Sequence, residues 1–526
     1  MKVLISDNLA ESGIDRLKAI PEFEVEVNTS LTHDELRQII KEYDALVIRS
    51  GTKVSADIID AAENLKVIAR AGIGLDNVDV AAASKHGIVV MNTPEGNVIT
   101  TAEHTIAMLL AVSRNIPQAN SSLKAGKWEK KRFRGKEVFN KVLGIIGVGR
   151  IGRIVADRAK ALRMNVIGYD PYISSEVIDN LGIEGVTLDE LFSRSDYITV
   201  HTPKTQETRD IINAEAFKKM KKGVFILNCA RGGIVNEEAL YEAIQSEIVA
   251  GAALDVFVKE PPVDNPLLTL DQVIATPHLG ASTDEAQENV AIAVADQVID
   301  YLLGGTIRNA VNAPNIDGAV LARLRPYLTL SEKLGSLIMQ ITSGAIQEVS
   351  VEYIGEVTNV ETQPLTISIL KGMLAPVLGD MVNFVNVPIH VKERNIRVKE
   401  STRSEAEDFT NLISIFVKTS EEQNLVAGTI FGKKDPRLVR INDFRLEAAM
   451  EGHLVLIYNI DTPGTIGAIG TCLGRHNINI SMMDVGQVLE RGQNIIFLRT
   501  DTPVPKHVVN ELLAMENVNV VQVLEL

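Results

Sequence analysis

One run of the chain restricts its fold more than any other: VLGIIGVGRIGRIVADRAKALRMNVIGYDPY, from Val142 to Tyr172. An apolar stretch leads into Gly147, Gly149 and Gly152, a helical pattern follows, and a second apolar stretch ends at Asp170. Strand, glycines, helix, strand and acid in that order make a βαβ unit able to cradle a dinucleotide. Gly147 allows the tight turn, Gly149 lets the backbone approach a pyrophosphate, and Gly152 lets the helix pack close to the strand. The pyrophosphate is expected at the helix N-terminus, where free amides and the helix dipole favour an anion. Asp170 lies 18 residues beyond Gly152, where a carboxylate can bond both ribose hydroxyls and repel a 2′-phosphate, so NAD is favoured over NADP. Arg150 and Ile151 fall in the turn and are expected to line the cofactor through their backbone.

Length and charge bound the rest. At about 150 residues per domain, 526 residues predict three to four domains. Hydrophobic residues form 45% of the chain and charged residues 23%, enough apolar surface for several cores. Against 68 acidic residues stand 53 basic ones, a net charge of −15. That field repels a nucleic-acid backbone, so no such partner is expected, and an anionic substrate needs a local cluster of cations. Two cysteines, Cys229 and Cys472, exclude a disulfide framework and a four-cysteine metal site. Both read as small buried residues, no metal is expected, and a reducing cytoplasm is the simplest compartment. The first apolar run stops at Ser6 and Asp7, too early for the core of a signal peptide. No stretch approaches the ~20 apolar residues that span a bilayer, so no membrane association is expected.

From Met1 to about Ile307, short β-rich runs (VLIS, EVEV, ALVIR, KVIAR, IVVMN) alternate with helical patterns, and the rhythm restarts at Lys141 with VLGII, NVIGYD, DYITV, GVFILN and AGAALDV. This predicts two α/β lobes with mostly parallel sheets. Asn97 to Arg114 reads as a long helix with Thr100 or Thr101 near its start, and Thr283 to Leu303 as another that crosses back to the first lobe. Pro314 and Gly318 break the pattern and mark a boundary. Val320 to Ala449 alternates helix and strand and carries a basic run, Lys392, Arg394, Arg397 and Lys399, read either as a solvated face or as an anion site. The last ~75 residues read strand, helix, strand, strand, helix, strand, a βαββαβ module.

Hydride transfer requires a proton-moving group and a cation for the substrate, expected at strand ends. Three candidates follow apolar strands: Arg231 in NCARGG, Glu260 in VKEPP and His278 in TPHLGAST. His278 has the intrinsic pKa for acid–base work, Glu260 can fix its tautomer, and Arg231 can clamp a carboxylate. In this order with GVGRIG and Asp170, these motifs resemble the NAD-dependent D-isomer-specific 2-hydroxyacid dehydrogenases over about Met1 to Ile307. The resemblance implies two Rossmann-like doubly wound lobes and a catalytic trio of Arg231, Glu260 and His278. It also implies cofactor contacts at Thr202, Ala230, Asp255, His278 and Gly280 beside the glycine loop. VIRSGTKV, VIARAGIGLDNVDV, NTPEGNVITTAEH and GKWEKKRFRG are similar to members acting on 3-phospho-D-glycerate in L-serine synthesis. On that likeness Arg49, Ser50, Arg70, Gly74 and Asn97 join Arg231 and His278 as substrate contacts. Lys130, Lys131, Arg132 and Arg134, beside Trp128, read either as added phosphate charge or as a solvated face.

The tail, with IDTPGTIGAIGTCLGRHNINI, resembles the ACT amino-acid-binding domain. The resemblance implies an L-serine effector held by Asn459, Asp461 and Asn479 at a dimer interface, hence a homo-oligomer, dimer or tetramer; a capping role for Asp461 is the other reading. The implied modules are 1–98 with 284–310 for substrate, 99–283 for NAD, 317–450 as an intervening α+β domain and 452–526 as the ACT domain. Two alternatives stand against this reading: a glyoxylate or hydroxypyruvate reductase, and a non-enzymatic NAD(H)-sensing interaction protein.

Overall fold

The structure is a computed structural model that describes residues 1–315, 318–405, 409–432, 434–488 and 492–526. The chain divides into two compact units, Met1–Asn8 with Arg16–Asn92 and Val294–Leu526, and Leu9–Asp15 with Thr93–Ala293. The first unit opens with five parallel strands, β1 (Lys2–Ile5), β2 (Glu24–Val27), β3 (Ala45–Ile48), β4 (Val67–Arg70) and β5 (Val89–Asn92), in the order β2-β1-β3-β4-β5. Strand β3 is buried on both faces, as its unbroken ALVI run requires of a covered parallel sheet, whereas the EVEV of edge strand β2 leaves its glutamates in solvent. The register sets Ile48, Arg70 and Asn92 level, so Arg49 and Arg70 leave the same edge of the sheet.

The second unit holds seven parallel strands: β6 (Val142–Ile146), β7 (Asn165–Tyr169), β8 (Glu184–Gly185), β9 (Tyr197–Val200), β10 (Val224–Asn228), β11 (Val249–Leu254) and β12 (Val273–Ala275). Their order, β12-β11-β10-β9-β6-β7-β8, places β6 between β7 and β9. The chain leaves β6 on one side and returns on the other, a topological switch point whose carboxyl-end crevice is where such sheets bind ligands. Helix α1 (Val98–Arg114) and helix α2 (Arg150–Ala161) both belong to this unit, while α3 (Asp284–Gly304) begins in it and ends in the first. Helix α1 spans the stretch expected from Asn97 to Arg114. Asn97 is its N-cap, and the Thr101 hydroxyl lies 3.0 Å from the Asn97 carbonyl and 2.9 Å from that of Gly280, tying the helix to the loop after β12 instead of capping.

Beyond the boundary, whose residue Asp317 lies outside the described residues, come α4 (Gly318–Gln340) and α5 (Gln363–Leu378). They cover a six-stranded sheet: β13 (Ile346–Gly355), β14 (Arg397–Arg403), β15 (Asn411–Thr419), β16 (Gln423–Phe431), β17 (Asp435–Ile441) and β18 (Phe444–Ala449). Strands β15 to β18 follow one another as antiparallel neighbours, so the second half of this region is a meander and not an alternation with helices. Half of the basic run is paired: Arg397 and Lys399 on β14 share Glu348 on the adjacent β13, at 3.2 and 2.8 Å. The last module has β19 (His453–Ile460), α6 (Thr465–Arg475), β20 (Ile480–Val488), β21 (Gln493–Thr500), α7 (Lys506–Leu513) and β22 (Val518–Leu524), with sheet order β20-β21-β19-β22. One apolar cluster runs through both modules, from Leu337, Tyr353 and Ile413 to Leu454, Phe497 and Leu524. No helix among the described residues is long and apolar enough to cross a membrane.

Candidate active site

The glycine loop has the geometry that a pyrophosphate needs. Gly147, at φ +95°, turns the chain so tightly that a Cβ would lie 2.7 Å from the His201 backbone, and a Cβ on Gly152 would lie 2.1 Å from the Gly147 carbonyl. At Gly149, the N-cap of α2, nothing lies within 4 Å of the Cβ position, and no side chain caps the helix. The first amides of α2 therefore have no side-chain acceptor, and the backbone at Gly149 can be closely approached, as an anion site requires. Thr202, just past β9, buries a hydroxyl with no partner among the described residues, which fits a residue that bonds a cofactor. Asp170 accepts from the amides of Val148 (2.8 Å) and Tyr172 (2.9 Å), one on each oxygen. A carboxylate has about four lone-pair sites, so capacity remains for ribose hydroxyls. It also lines a hollow of about 570 Å³ with Tyr169, Ser174 and Thr187. Arg150 reaches Glu95 at 3.4 Å, half-buried Ile151 packs into α2's core, and Arg153, which sequence reasoning passed over, donates to the Val148 carbonyl at 3.0 Å.

The expected acid–base pair, Glu260 and His278, follows the carboxyl ends of β11 and β12. His278 Nδ1 lies 2.8 Å from Glu260 Oε2, and the Phe257 amide holds the other carboxylate oxygen at 3.1 Å. An ionised carboxylate only accepts, so Nδ1 carries a proton, and in the neutral form of the ring Nε2 is the nitrogen with the lone pair. His278 itself adopts φ +55°, in the left-handed region that few non-glycine residues occupy. The loop that holds it there is organised by Asp255, whose side chain is 1% exposed. One Asp255 oxygen receives the Thr276 hydroxyl (2.6 Å) and the Leu279 amide (2.7 Å), the other the Gly280 amide (2.8 Å), and the Asp255 carbonyl receives the His278 amide (2.9 Å). Burial raises this carboxyl's pKa, but His104, Thr276 and the Leu279 amide together outweigh it and hold the value below the ordinary one.

Arg231 follows β10, where Asn228 fixes the turn by accepting from the Ala230 amide (3.1 Å) and donating to the Arg231 carbonyl (3.0 Å). The Arg231 guanidinium donates to the Ala230 carbonyl at 2.7 Å. A Cβ on Gly232 would lie 1.9 Å from the Phe257 carbonyl, so only glycine lets the Arg231 loop press against the Glu260 loop. Cys229 is buried, and burial together with the Asp255 charge pushes its thiol up to about 12, which leaves it protonated and unreactive. Asn97 belongs to this unit and buries an Oδ1 without a partner among the described residues. Arg49, Ser50, Arg70 and Gly74 belong to the other unit; Arg49 donates to the Asn8 carbonyl at 3.0 Å, and Asn77 fixes the loop by donating to the carbonyls of Arg49 and Thr52.

Residues 106–280 match the family described as D-isomer specific 2-hydroxyacid dehydrogenase, NAD binding domain; 323–442 match the D-3-phosphoglycerate dehydrogenase intervening domain; and 453–517 match the ACT domain. A D-3-phosphoglycerate dehydrogenase of Methanocaldococcus jannaschii is 46% identical over 527 residues, covering 100% of both chains. The chain belongs to the D-3-phosphoglycerate dehydrogenase family. The enzyme of the same name from Bacillus subtilis is 41% identical over 100% of this chain and 99% of its own. Among solved structures, the TT0316 protein of Thermus thermophilus aligns with 59% of this chain and 100% of its own, at 34% identity and a TM-score of 0.55. An NAD-dependent formate dehydrogenase of Staphylococcus aureus in complex with NAD covers 60% of this chain and 100% of its own, at 29% identity and 0.54. As a member of the D-3-phosphoglycerate dehydrogenase family, the chain is an NAD-dependent oxidoreductase.

The residues expected to hold an effector in this family member are spread along the ACT sheet. Asn459 pairs with Asn494 near one end of β19, and both bury an Oδ1 without a partner among the described residues. Asp461 follows at the same end, its amide bonded to the Gly492 carbonyl at 3.0 Å. Asn479 precedes β20, whose first residue Ile480 is level with Thr500 and so with His453 at the other end of β19. Six residues of strand at ~3.3 Å each put Asn459 and Asn479 about 20 Å apart in one chain. Of the basic cluster near Trp128, Arg132 is paired with Asp271 at 2.8 Å and Glu129 at 3.5 Å, while Lys130, Lys131 and Arg134 are exposed. Reading the sequence also missed His104 and Asn494; the first was visible as the histidine of TAEH, but its link to Asp255 depends on packing between α1 and the loop after β12.

Proposed function

We propose that the chain oxidises 3-phospho-D-glycerate to 3-phosphohydroxypyruvate with NAD, the opening reaction of the phosphorylated route to L-serine. The observation that carries this reading is the 2.8 Å contact between His278 Nδ1 and Glu260, which leaves Nε2 able to accept a proton beside a loop fit for a dinucleotide. Bound NAD supplies the hydride acceptor. Nε2 of His278 takes the C2 hydroxyl proton as C2 gives up its hydride, so the alcohol becomes a carbonyl. Glu260 stabilises the imidazolium that forms, and Arg231 holds the substrate carboxylate through paired N–H bonds. Gly147, Gly149, Arg150, Ile151, Gly152, Asp170, Thr202, Ala230, Asp255 and Gly280 are assigned to the cofactor. Arg49, Ser50, Arg70, Gly74 and Asn97 are assigned to the substrate, with Arg70 as the main phosphate cation.

Four modules divide this work: 1–98 with 284–310, 99–283, 317–450 and 452–526. The ACT module takes L-serine through Asn459, Asp461 and Asn479. Because the two ends of its sheet are about 20 Å apart, a complete effector site needs two copies of the chain, so the working form is a cytoplasmic homo-oligomer. NADH absorbance tests the reaction. Turnover is expected with 3-phosphoglycerate and NAD, and not with NADP, glycerate or lactate; no turnover with the phosphorylated acid overturns it. Titration with L-serine, glycine and L-alanine tests the effector. Inhibition by serine corresponding to a coupling of about 1–3 kcal/mol is expected, and calorimetric binding without a change in rate removes the regulatory part.

A further inference from the structure

The helical layer of the last module carries a side-chain cluster that the dehydrogenase chemistry does not use. Cys472 on α6 and His476 at its C-cap are four residues apart and therefore share one face of the helix; His507 and Glu511 have the same spacing on α7. The ligand atoms of Cys472, His476 and Glu511 all lie within 4.8 Å of one another. His476 Nε2 is 2.7 Å from Glu511 Oε2, and the His507 ring packs edge-on against the His476 ring, with centroids 5.2 Å apart at 74°. Cys472 is fully buried, His476 and Glu511 are 29% and 38% exposed, and His507 is at the surface. Arg475 approaches the other carboxylate oxygen, Oε1, at 3.6 Å, which leaves Oε2 directed into the cluster.

We propose that Cys472, His476 and Glu511, with His507 in the fourth position, bind a divalent cation of the zinc class and thereby clip α6 to α7. The argument is one of donors, spacing and charge. One thiolate, two imidazoles and one carboxylate are ligands that zinc takes in closed four-coordinate sites, whereas magnesium and calcium require oxygen donors throughout. Metal–ligand bonds of ~2.0–2.3 Å in a tetrahedron put ligand atoms roughly 3.3–3.8 Å apart. The three atoms already gathered need only small movements, with the 2.7 Å His476–Glu511 contact opening slightly. The His507 ring enters by turning about its Cβ–Cγ bond, a soft torsion. Binding displaces the Cys472 thiol proton to solvent, and the thiolate and carboxylate then balance the two positive charges of the ion. Arg475 on Oε1 acts as the outer partner that aims a ligating carboxylate.

The competing arrangement is a His476–Glu511 ion pair beside a core cysteine. The test uses the full-length chain, stripped with a chelator and reloaded with zinc or cobalt(II). One equivalent of metal per chain is expected, indifferent to excess magnesium. The cobalt form is expected to show a thiolate-to-cobalt band in the near ultraviolet that is lost in Cys472→Ser and kept in Cys229→Ser, the only other thiol. His507→Ala, a change at the surface that leaves the core intact, should weaken zinc binding about 10-fold or more. Zinc retention below about a tenth of an equivalent, a band that survives Cys472→Ser, or unchanged affinity in His507→Ala overturns the proposal.

Discussion

Replacing Asp255 with alanine should release the loop that carries His278, by an amount that its bonding sets. The side chain receives the Thr276 hydroxyl, the Leu279 amide and the Gly280 amide at 2.6–2.8 Å, in a position only 1% exposed. Each buried donor left unpaired costs about 1–3 kcal/mol. Thr276 can turn to His104, 3.2 Å away, which leaves the two amides unpaired, so the loss should total about 2–6 kcal/mol of local stability. At 1.4 kcal/mol per factor of ten, hydrogen exchange at Leu279 and Gly280 should accelerate roughly 30- to 10⁴-fold through local opening of the loop. Asp255→Asn keeps one acceptor oxygen but turns an amide toward donors, and should fall between the two. Because the Asp255 pKa is lowered on folding, its contribution is present above the ordinary carboxyl value near 3.9 and is lost as the pH falls through the lowered value. Amide exchange read by mass spectrometry at pH 7 is the assay. Protection at Leu279 and Gly280 within a few-fold of wild type in Asp255→Ala would refute the clamp.

Asp170→Ala should lower the ratio of NAD to NADP efficiency, because both the ribose acceptor and the repulsion of a 2′-phosphate are lost; an unchanged ratio places the selection elsewhere. His201, its ring bonded to Thr199 at 3.0 Å, is pushed down to about 4 by burial alone. A depressed histidine leaves the unfolded chain binding more protons between about pH 6.5 and 4, so stability falls as pH drops through that window, by about 2–3 kcal/mol. Thermal unfolding of His201→Gln between pH 7 and 4.5 should be less acid-sensitive than wild type; parallel curves contradict this.

The parts of the fold that are local in sequence were legible and the parts made by distant partners were not. The glycine loop, its flanking strands and Asp170 occupy one continuous run, and the strand ends bearing Arg231, Glu260 and His278 follow from apolar runs and breakers. The ACT order was legible for the same reason, since each of its elements has its own period. The basic run from Lys392 to Lys399 could be read either as a solvated face or as an anion site because the partner of its second half, Glu348, is 49 residues before Arg397 and meets it only across β13 and β14. How far apart Asn459 and Asn479 stand was not legible, because α6 lies between them in sequence and returns the chain to the far end of the sheet. His104 drew no attention because a histidine on an apolar helix reads as core until the Asp255 loop is seen against it.

Turnover of His278→Ala, with cofactor binding measured on the same preparation, tests the central claim most directly. General acid–base transfer is worth about 10²–10⁴-fold. Oxidation of 3-phosphoglycerate should fall by that factor at saturating substrate, while NADH binding, followed by fluorescence, stays within a few-fold of wild type. Near wild-type turnover would contradict the account, because no proton would then have to pass through Nε2 of His278.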